Sequence, residues 1–405
     1  MFRQAQHDKV FRTTKYANTF WVYTRSDYLS LSKNRMKGFL KLSVLLLIFS
    51  SACHPAKKET HSLTTKLDSL FATTPDFSGV ILIANKGKTI YHKSFGYLNF
   101  ETKVPMDTTS LFELASVSKQ FTGMVMMTLK EEGKLLYDDL LEKYIPGIPY
   151  PGITIRHLLN HTSGLPDYQK IMDEHWDKSK AAGNEDIIKY LIQYHPAKLA
   201  EPGEKYEYSN TGYVLLGSIA EKASGIDFVE FCRQRIFNPL NMTSTDIRSL
   251  EEKALIKNFA LGHVYVKEKQ RYIRTDSFPS SNYILWLGNR KGPGRISSVA
   301  SDLLKWDRAL YTEKLIKKET LKEAFLPATL NNDSISSYGF GWHIESSSVL
   351  GKIVRHSGDN PGYKTHILRY IDADKTVILF SNNAHENFDT ILKAIERLLE
   401  EINTP

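Results

Sequence analysis

The chain has 405 residues, 41% of them hydrophobic and 24% charged, a composition that excludes a disordered or fibrous protein and allows one large domain or two modest ones. The formal net charge of +8 comes mainly from residues 1–52, which hold nine Lys/Arg and two Asp. The remainder is near neutral, with 44 basic and 43 acidic residues, so we expect no nucleic-acid partner.

The N-terminal segment has the layout of a secretory leader. Positive charges precede a short apolar run, Leu42–Phe49, which small residues and then Cys53 follow. The run is too short to cross a bilayer comfortably, and a Cys in this place is typical of bacterial lipoprotein signals, although Ser50 stands where such signals usually have Leu. We therefore expect an upstream extension at 1–35, with Met36 as the true start, a signal peptide at 36–52 and lipid on Cys53. The alternatives are a cleaved signal without lipid or an uncleaved anchor.

This leader predicts a cell-envelope protein whose lipid anchors it to a membrane and leaves it facing the periplasm. Residues 53–64, which are polar and rich in Lys and Thr, are expected to form a tether. The second cysteine, Cys232, lies in an apolar-periodic stretch and is expected to be a buried core thiol.

The first strands of the folded part are predicted within residues 78–96, as two strands around an Asn-Lys-Gly-Lys turn. The first of them is continuously apolar, which is typical of a strand inside a sheet. Helical spacing follows over 117–132 and stops at Gly133. Further helices are predicted at 155–159, 184–194, 212–223, 228–237 and 301–311.

The C-terminal part changes character, because four short strand-like runs occupy 341–345, 352–356, 365–371 and 376–381, and an amphipathic helix covers 389–400. Strand signals at both ends with helices between them predict an α+β fold, an α/β-α sandwich. Its antiparallel sheet is formed by the N- and C-terminal segments with flanking helices, and a mostly helical region is inserted.

The first motif with chemical meaning is Ser116-Val-Ser-Lys119, at the head of the predicted helix. Residues three apart share one helix face, so the lysine amine can reach the serine hydroxyl. Such a lysine accepts the serine proton only when it is neutral, which requires burial or nearby positive charge. Ser116 is therefore a candidate nucleophile and Lys119 its candidate base.

Two further motifs follow in chain order. Tyr208-Ser-Asn210 comes after a Pro/Gly-marked turn, where a loop can present a phenol and an amide to a cleft. His356-Ser-Gly358 is predicted at the end of a strand, whose edge can supply a backbone N–H to an oxyanion, while glycine lets substrate approach closely.

The three motifs in this order resemble those of the serine β-lactamase and penicillin-binding-protein superfamily, and most closely its class C β-lactamase-like branch. The stretches 153–166 and 297–306 also look like this branch. The resemblance implies a β-lactamase/transpeptidase-like serine hydrolase domain over 65–385. A C-terminal helix at 386–405 is expected to pack on its sheet.

The resemblance also implies residue roles. Ser116 is the nucleophile, Lys119 the general base and Tyr208 the acid/base partner. Asn210 contacts the substrate amide, and the strand carrying His356, Gly358 and Asp359 pairs with substrate. The oxyanion hole is formed by the N–H groups of Ser116 and Asp359. No metal or organic cofactor is implied, and the partner is a small-molecule or peptide substrate; the oligomeric state is left open.

One departure from true β-lactamases bears on the substrate, since they have Lys where this chain has His356, a residue that is largely neutral near pH 7. An esterase or a D-amino-acid peptide hydrolase acting on cell-wall material is therefore expected. A β-lactamase proper and a non-catalytic penicillin-binding scaffold are the alternatives. His157 and His161 have the spacing of a zinc pair, but no Glu accompanies them in the usual motif, so no metal site is expected.

Overall fold

The structure is a computed structural model that describes residues 55–404, with side chains described from residue 63. The expected upstream extension, signal peptide and lipidated Cys53 lie outside the described residues. Within the described part, no helix is both long enough and apolar enough to cross a bilayer.

The described residues form helices and strands in the order expected, with strands at both ends and helices between them. The α-helices are α1 Pro55–Ala72, α2 Lys119–Glu131, α3 Ile155–Leu159, α4 Tyr168–His175, α5 Asn184–Tyr194, α6 Asn210–Ser224, α7 Phe228–Cys232, α8 Leu250–Ala254, α9 Tyr283–Trp286, α10 Ala300–Ala309, α11 Lys318–Ala324 and α12 Phe388–Glu401. The strands are β1 Gly79–Asn85, β2 Lys88–Phe95, β3 Tyr97–Asn99, β4 Val104–Pro105, β5 Phe112–Glu113, β6 Asp246–Ile247, β7 His263–Val266, β8 Arg271–Arg274, β9 Ile296–Ser298, β10 Ala328–Thr329, β11 Ile335–Ser336, β12 His343–Ser347, β13 Gly351–Asn360, β14 Tyr363–Tyr370 and β15 Lys375–Ser381. Short 3₁₀ or π helices occupy Ala115–Ser118, Leu141–Lys143, Arg233–Phe237, Lys267–Lys269 and Thr275–Ser277.

The main sheet has six antiparallel strands in the order β12-β13-β14-β15-β1-β2. The α+β class and the sheet built from both ends of the domain are thus confirmed. The first hairpin turns at Lys86 and Gly87, both with positive φ, as a two-residue turn requires.

Two hydrophobic clusters cover the two faces of this sheet, which explains the continuously apolar first strand. Val80 and Leu82 of β1 face the large cluster that includes the inserted helices. Ile81 and Ile83 face the second cluster, to which α1 and α12 contribute.

Several predicted elements begin or end a few residues away from the observed bounds, and two differ more substantially. The expected tether is helical from Pro55, and Leu63, Leu67 and Phe71 place one apolar face of α1 on the second cluster. The strand β13 runs on to Asn360, because it pairs with β14 up to the Pro361-Gly362 turn. The third motif therefore lies inside a strand and not at its end.

Candidate active site

The candidate nucleophile lies on a strained turn between strand β5 and helix α2. Ser116 belongs to the 3₁₀ segment Ala115–Ser118, so α2 begins at Lys119 and not at 117. Ala115 has φ of +50°, a left-handed conformation that costs a non-glycine residue about 1–3 kcal/mol. Leu114 is fixed at both backbone atoms, because its N–H donates to Ile296 O at 2.8 Å and its carbonyl accepts from Thr365 Oγ1 at 2.7 Å.

The amine of Lys119 makes three short contacts that match a neutral base. Nζ lies 3.0 Å from Ser116 Oγ, 2.8 Å from Asn210 Oδ1 and 3.0 Å from Pro293 O. Two of these partners are carbonyl oxygens, which only accept hydrogen bonds. A neutral amine has two N–H bonds for them, and its lone pair then faces the Ser116 hydroxyl. After proton transfer, the ammonium group has a partner for each of its three N–H bonds.

Burial favours that neutral form of Lys119, whose side chain is fully buried. Burial lowers its pKa well below 10.5, and the positive charge of Arg290 lowers it further, while Asp167 acts in the opposite direction. No carboxylate forms an ion pair with Nζ among the described residues. The predicted requirement for burial is therefore met.

Tyr208 contacts both Lys119 and Ser116. Nζ of Lys119 lies 4.9 Å from its ring centre, and a hydrogen bond connects Tyr208 with Ser116. The side chain is 37% exposed, yet desolvation around the hydroxyl raises its pKa, a shift that the Ser116 hydrogen bond opposes. The phenol is therefore neutral at pH 7 and can donate a proton.

Asn210 is placed by a helix cap. It is the first residue of α6, and the Ser209 side chain caps this helix by accepting the N–H of Gly212 at 3.2 Å. Within the second motif, Ser209 therefore fixes the loop, while Tyr208 and Asn210 on either side of it contact Lys119. The three residues expected to react or to hold the amine, Ser116, Lys119 and Tyr208, converge on one site with Asn210.

His161, which sequence reasoning considered only for zinc, holds this second motif in place. Its Nδ1 accepts the N–H of Ser209 at 3.0 Å, and its carbonyl accepts the N–H of Glu207 at 2.8 Å. Its ring lies 4.2 Å from that of Tyr208 and is fully buried. Burial lowers the pKa of His161 well below 6.5, so the ring is neutral and serves as an acceptor.

His356 lies on the strand expected to pair with substrate, but its side chain is enclosed. The side chain is 1% exposed, and both nitrogens are occupied: Nε2 lies 2.8 Å from Tyr338 Oη and Nδ1 lies 2.6 Å from Ser357 O. Because a carbonyl only accepts, Nδ1 carries the proton and Nε2 accepts from Tyr338. Burial lowers its pKa well below 6.5, so this position holds a neutral, enclosed ring.

Gly358 has a packing role besides the one expected of it toward substrate. A Cβ there would lie 2.2 Å from Leu114 O and 2.3 Å from Thr365 Oγ1. The missing side chain therefore makes room for the segment that carries Ser116.

Asp359 lies on the open edge of β13. Its carbonyl accepts from Tyr283 Oη at 3.3 Å, away from β14. In an antiparallel strand the N–H and C=O of one residue point to the same edge, so the Asp359 N–H faces outward as well. This orientation fits the second oxyanion donor expected at this residue, beside the Ser116 turn against which β13 packs.

The two histidines of the considered zinc pair have separate partners. His157 Nδ1 accepts the N–H of Thr154 at 3.2 Å in a capping box, whereas His161 binds the second motif. Among the described residues no group of three or more His, Cys, Asp or Glu side chains is placed to hold a metal.

Three contributors to the site were missed in the sequence. The Pro293 carbonyl accepts a hydrogen bond from Lys119 Nζ, and the charge of Arg290 lowers the Lys119 pKa. The Tyr338 hydroxyl is hydrogen-bonded to His356 Nε2. The only signal was the Gly/Pro composition of 292–294, where Gly292 has φ of +105°. His161 lies in one of the family-like stretches, but its role depends on contacts that a linear motif does not specify.

Comparisons with known proteins identify the family of this chain. Residues 67–401 match the family model described as Beta-lactamase. The chain is 44% identical to penicillin-binding protein 4* of Bacillus subtilis over 340 residues, which cover 82% of this chain and 75% of that protein. It is 23% identical to a D-aminopeptidase of Gluconobacter oxydans over 322 residues, 79% of this chain and 58% of the relative. The structure of the octameric penicillin-binding protein homologue from Pyrococcus abyssi superimposes with a TM-score of 0.71 at 28% identity, covering 83% of this chain and 77% of the other.

Proposed function

Because the chain belongs to the β-lactamase family, as its three motifs predicted, we propose that it is a serine hydrolase that cleaves an ester or amide bond through an acyl-enzyme on Ser116. Members of this superfamily are serine hydrolases. The observation that carries the proposal is the buried amine of Lys119, 3.0 Å from the Ser116 hydroxyl, with its other two contacts made to carbonyl oxygens.

Acylation begins with transfer of the Ser116 proton to neutral Lys119 as Oγ attacks the substrate carbonyl. The resulting oxyanion accepts the N–H groups of Ser116 and Asp359, and loss of one such donor typically costs about 10²–10³-fold in rate. The C–O or C–N bond then breaks, and the leaving group takes a proton from Tyr208, which is replenished from Lys119.

Deacylation reverses the proton path. Water enters beside Tyr208, which is 37% exposed, gives a proton to the Tyr208–Lys119 pair and attacks the ester carbon. Ser116 then recovers its proton as the carboxylic product leaves. The site needs no proton carrier beyond Lys119 and Tyr208 for either step.

For the substrate we propose an ester or a D-amino-acid peptide of cell-wall type rather than a penicillin. His356 is neutral and enclosed, so the third motif offers no fixed cation to a lactam carboxylate. The likeness to a protein named D-aminopeptidase supports a D-amino-acid substrate, and the likeness to a penicillin-binding protein supports a cell-wall peptide.

Hydrolysis of a substrate panel by wild type and by Ser116→Ala tests the proposal. The panel contains p-nitrophenyl esters, peptides ending in D-Ala-D-Ala, nitrocefin and a fluorescent penicillin as a covalent label. We expect turnover of an ester or a D-peptide that disappears in Ser116→Ala. Activity retained by Ser116→Ala would refute the nucleophile. Efficient nitrocefin turnover would favour a β-lactamase proper, and stable penicillin labelling without any turnover would favour a binding scaffold.

We further propose that the protein is lipid-anchored in the cell envelope and faces the periplasm, where cell-wall peptides are accessible. The charged and apolar leader followed by Cys53 supports this placement. Expression of the full chain with an alkyne-labelled fatty acid should label wild type and not Cys53→Ala. Equal labelling of both, or of neither, would contradict it.

A further inference from the structure

A cavity of about 300 Å³, whose lining does not include the nucleophile, has five basic side chains among its eleven lining residues. These are Arg233, Arg248, Arg290, Arg295 and Lys291. The acidic lining residue, Glu252, already accepts the N–H of Ser249 at 2.7 Å in a helix cap. The cavity is therefore unusually positive for a protein whose body is near neutral.

Two of the five basic residues are neutralised by neighbouring carboxylates. Arg233 binds Asp246 at 2.8 Å, and Lys291 binds Glu221 at 2.8 Å and also Asp227. Their charges are thus balanced within the protein, and these two residues do not by themselves indicate a ligand.

The other three arginines have no carboxylate partner within the described residues. Arg248 donates to Ser297 Oγ at 2.8 Å, Arg290 to Leu287 O at 3.1 Å and Arg295 to Arg248 O at 2.7 Å. Their hydrogen-bond acceptors carry no net charge, so only carboxylates at longer range balance these arginines: Glu113 acts on Arg248 and Arg295, and Asp246 and Glu252 act on Arg248. The compensation is partial, because none of these carboxylates forms an ion pair with Arg248, Arg290 or Arg295.

Arg295 is the most distinctive of the three. It is 3% exposed, and its Nε and Nη1 have no hydrogen-bond partner in the described part of the chain. Its φ of +82° is a conformation that arginine rarely adopts. Gly288, also in the lining, has no side chain to block Nη1, since a Cβ there would lie 3.3 Å from it. Burial lowers the Arg295 pKa to about 10; the charge of Glu113 opposes this shift, and the charge of Arg290 adds to it.

We propose that this cavity binds a compact phosphate group, as inorganic phosphate or a phosphomonoester. A phosphate carries about −1.5 to −2 charges at pH 7, enough to balance most of the three arginines, whereas a carboxylate balances one. Guanidinium groups bind phosphate oxygens in pairs, and the volume is at the lower end for ligand sites, about 300 Å³. The proposal is tested by binding and not by turnover, so its failure is distinguishable from failure of the proposed hydrolysis, although Arg290 also lowers the pKa of Lys119.

Calorimetric titration of the purified protein with sodium phosphate and with glycerol 3-phosphate tests the proposal, against sodium chloride of equal ionic strength. We expect saturable binding and a rise in Tm with one or both phosphates. Tighter binding of glycerol 3-phosphate would assign a monoester ligand, and tighter binding of inorganic phosphate the free anion. No saturable binding of either would overturn the proposal.

Arg295→Gly is the decisive variant, because glycine adopts the local φ without strain and the change removes an unpaired buried charge. We expect it to fold at least as stably as wild type in chloride and to bind phosphate about tenfold or more weakly. Arg271→Gln, at an exposed arginine outside the cavity, should bind like wild type. Unchanged affinity in Arg295→Gly would overturn the proposal; if it does not fold, Arg248→Gln is judged by the same criterion.

Discussion

Replacing Gly358 with Ala should slow the acylation of Ser116 without touching any reacting group. The new Cβ would lie 2.2 Å from Leu114 O, and contacts below 3.0 Å are not tolerated, so this carbonyl has to move by about 0.8 Å. Leu114 lies two residues before Ser116, so the shift reaches the nucleophile. A misplacement of about 1 Å costs about 10²-fold in rate, and such overpacking costs about 1–3 kcal/mol in stability.

The assay is the second-order rate constant for labelling by a fluorophosphonate, with kcat/KM for p-nitrophenyl acetate and the Tm measured in parallel. Gly294→Ala is the matched control, because the nearest atom to its Cβ, Ala115 O, would lie 3.7 Å away, an ordinary contact. We expect Gly294→Ala to label close to the wild-type rate. Wild-type labelling by Gly358→Ala, or equal losses in both variants, would refute the steric reasoning.

Further predictions concern the groups around the catalytic pair. His161→Leu removes the acceptor of the Ser209 N–H and should lower kcat about tenfold or more. His161→Asn, whose side-chain oxygen can replace that acceptor, should recover much of the lost activity. Equal loss in both variants would contradict the role of His161 in holding the second motif. Arg290→Met should move the acid limb of the kcat/KM profile to higher pH, because loss of its charge raises the pKa of Lys119 and the neutral amine is the active form; an unmoved limb would contradict this. The free energy of unfolding should be constant above pH 6.5 and fall below it, because burial keeps the pKa of His356 below 6.5 and lowers that of His366 to about 3. The fall is about 1.4 kcal/mol per pH unit for each buried histidine. Urea unfolding at pH 7.5 and pH 5 measures this slope, which His366→Phe should reduce; the same slope in that variant would contradict the assignment.

Local patterns were sufficient to predict most of the fold. The period of the apolar residues gave α3 and α5 with the bounds that the structure has, and the Lys86-Gly87 turn followed from its own residues. The two exceptions depend on neighbours. Helix α1 is stabilised by a cluster from distant strands, and β13 is extended by its hairpin partner.

The site was predictable as far as a residue's role is fixed by its own motif. The spacing of Ser116 and Lys119 gave their contact, since one helical turn sets it. The orientation of His356 was not predictable, because Tyr338, 18 residues away, decides which way its nitrogens are used. Pro293 contributes a carbonyl oxygen, which every residue has, so no sequence signal marks it.

The central claim is that a neutral, buried amine activates Ser116, and mapping a covalent label by mass spectrometry tests it most directly. Wild type and Lys119→Met are treated with a fluorophosphonate at pH 7.5, and the modified peptide is sequenced. The structure predicts one adduct on Ser116 in wild type and labelling slower by orders of magnitude in Lys119→Met. An adduct on another residue, or equal labelling rates in the two proteins, would contradict it.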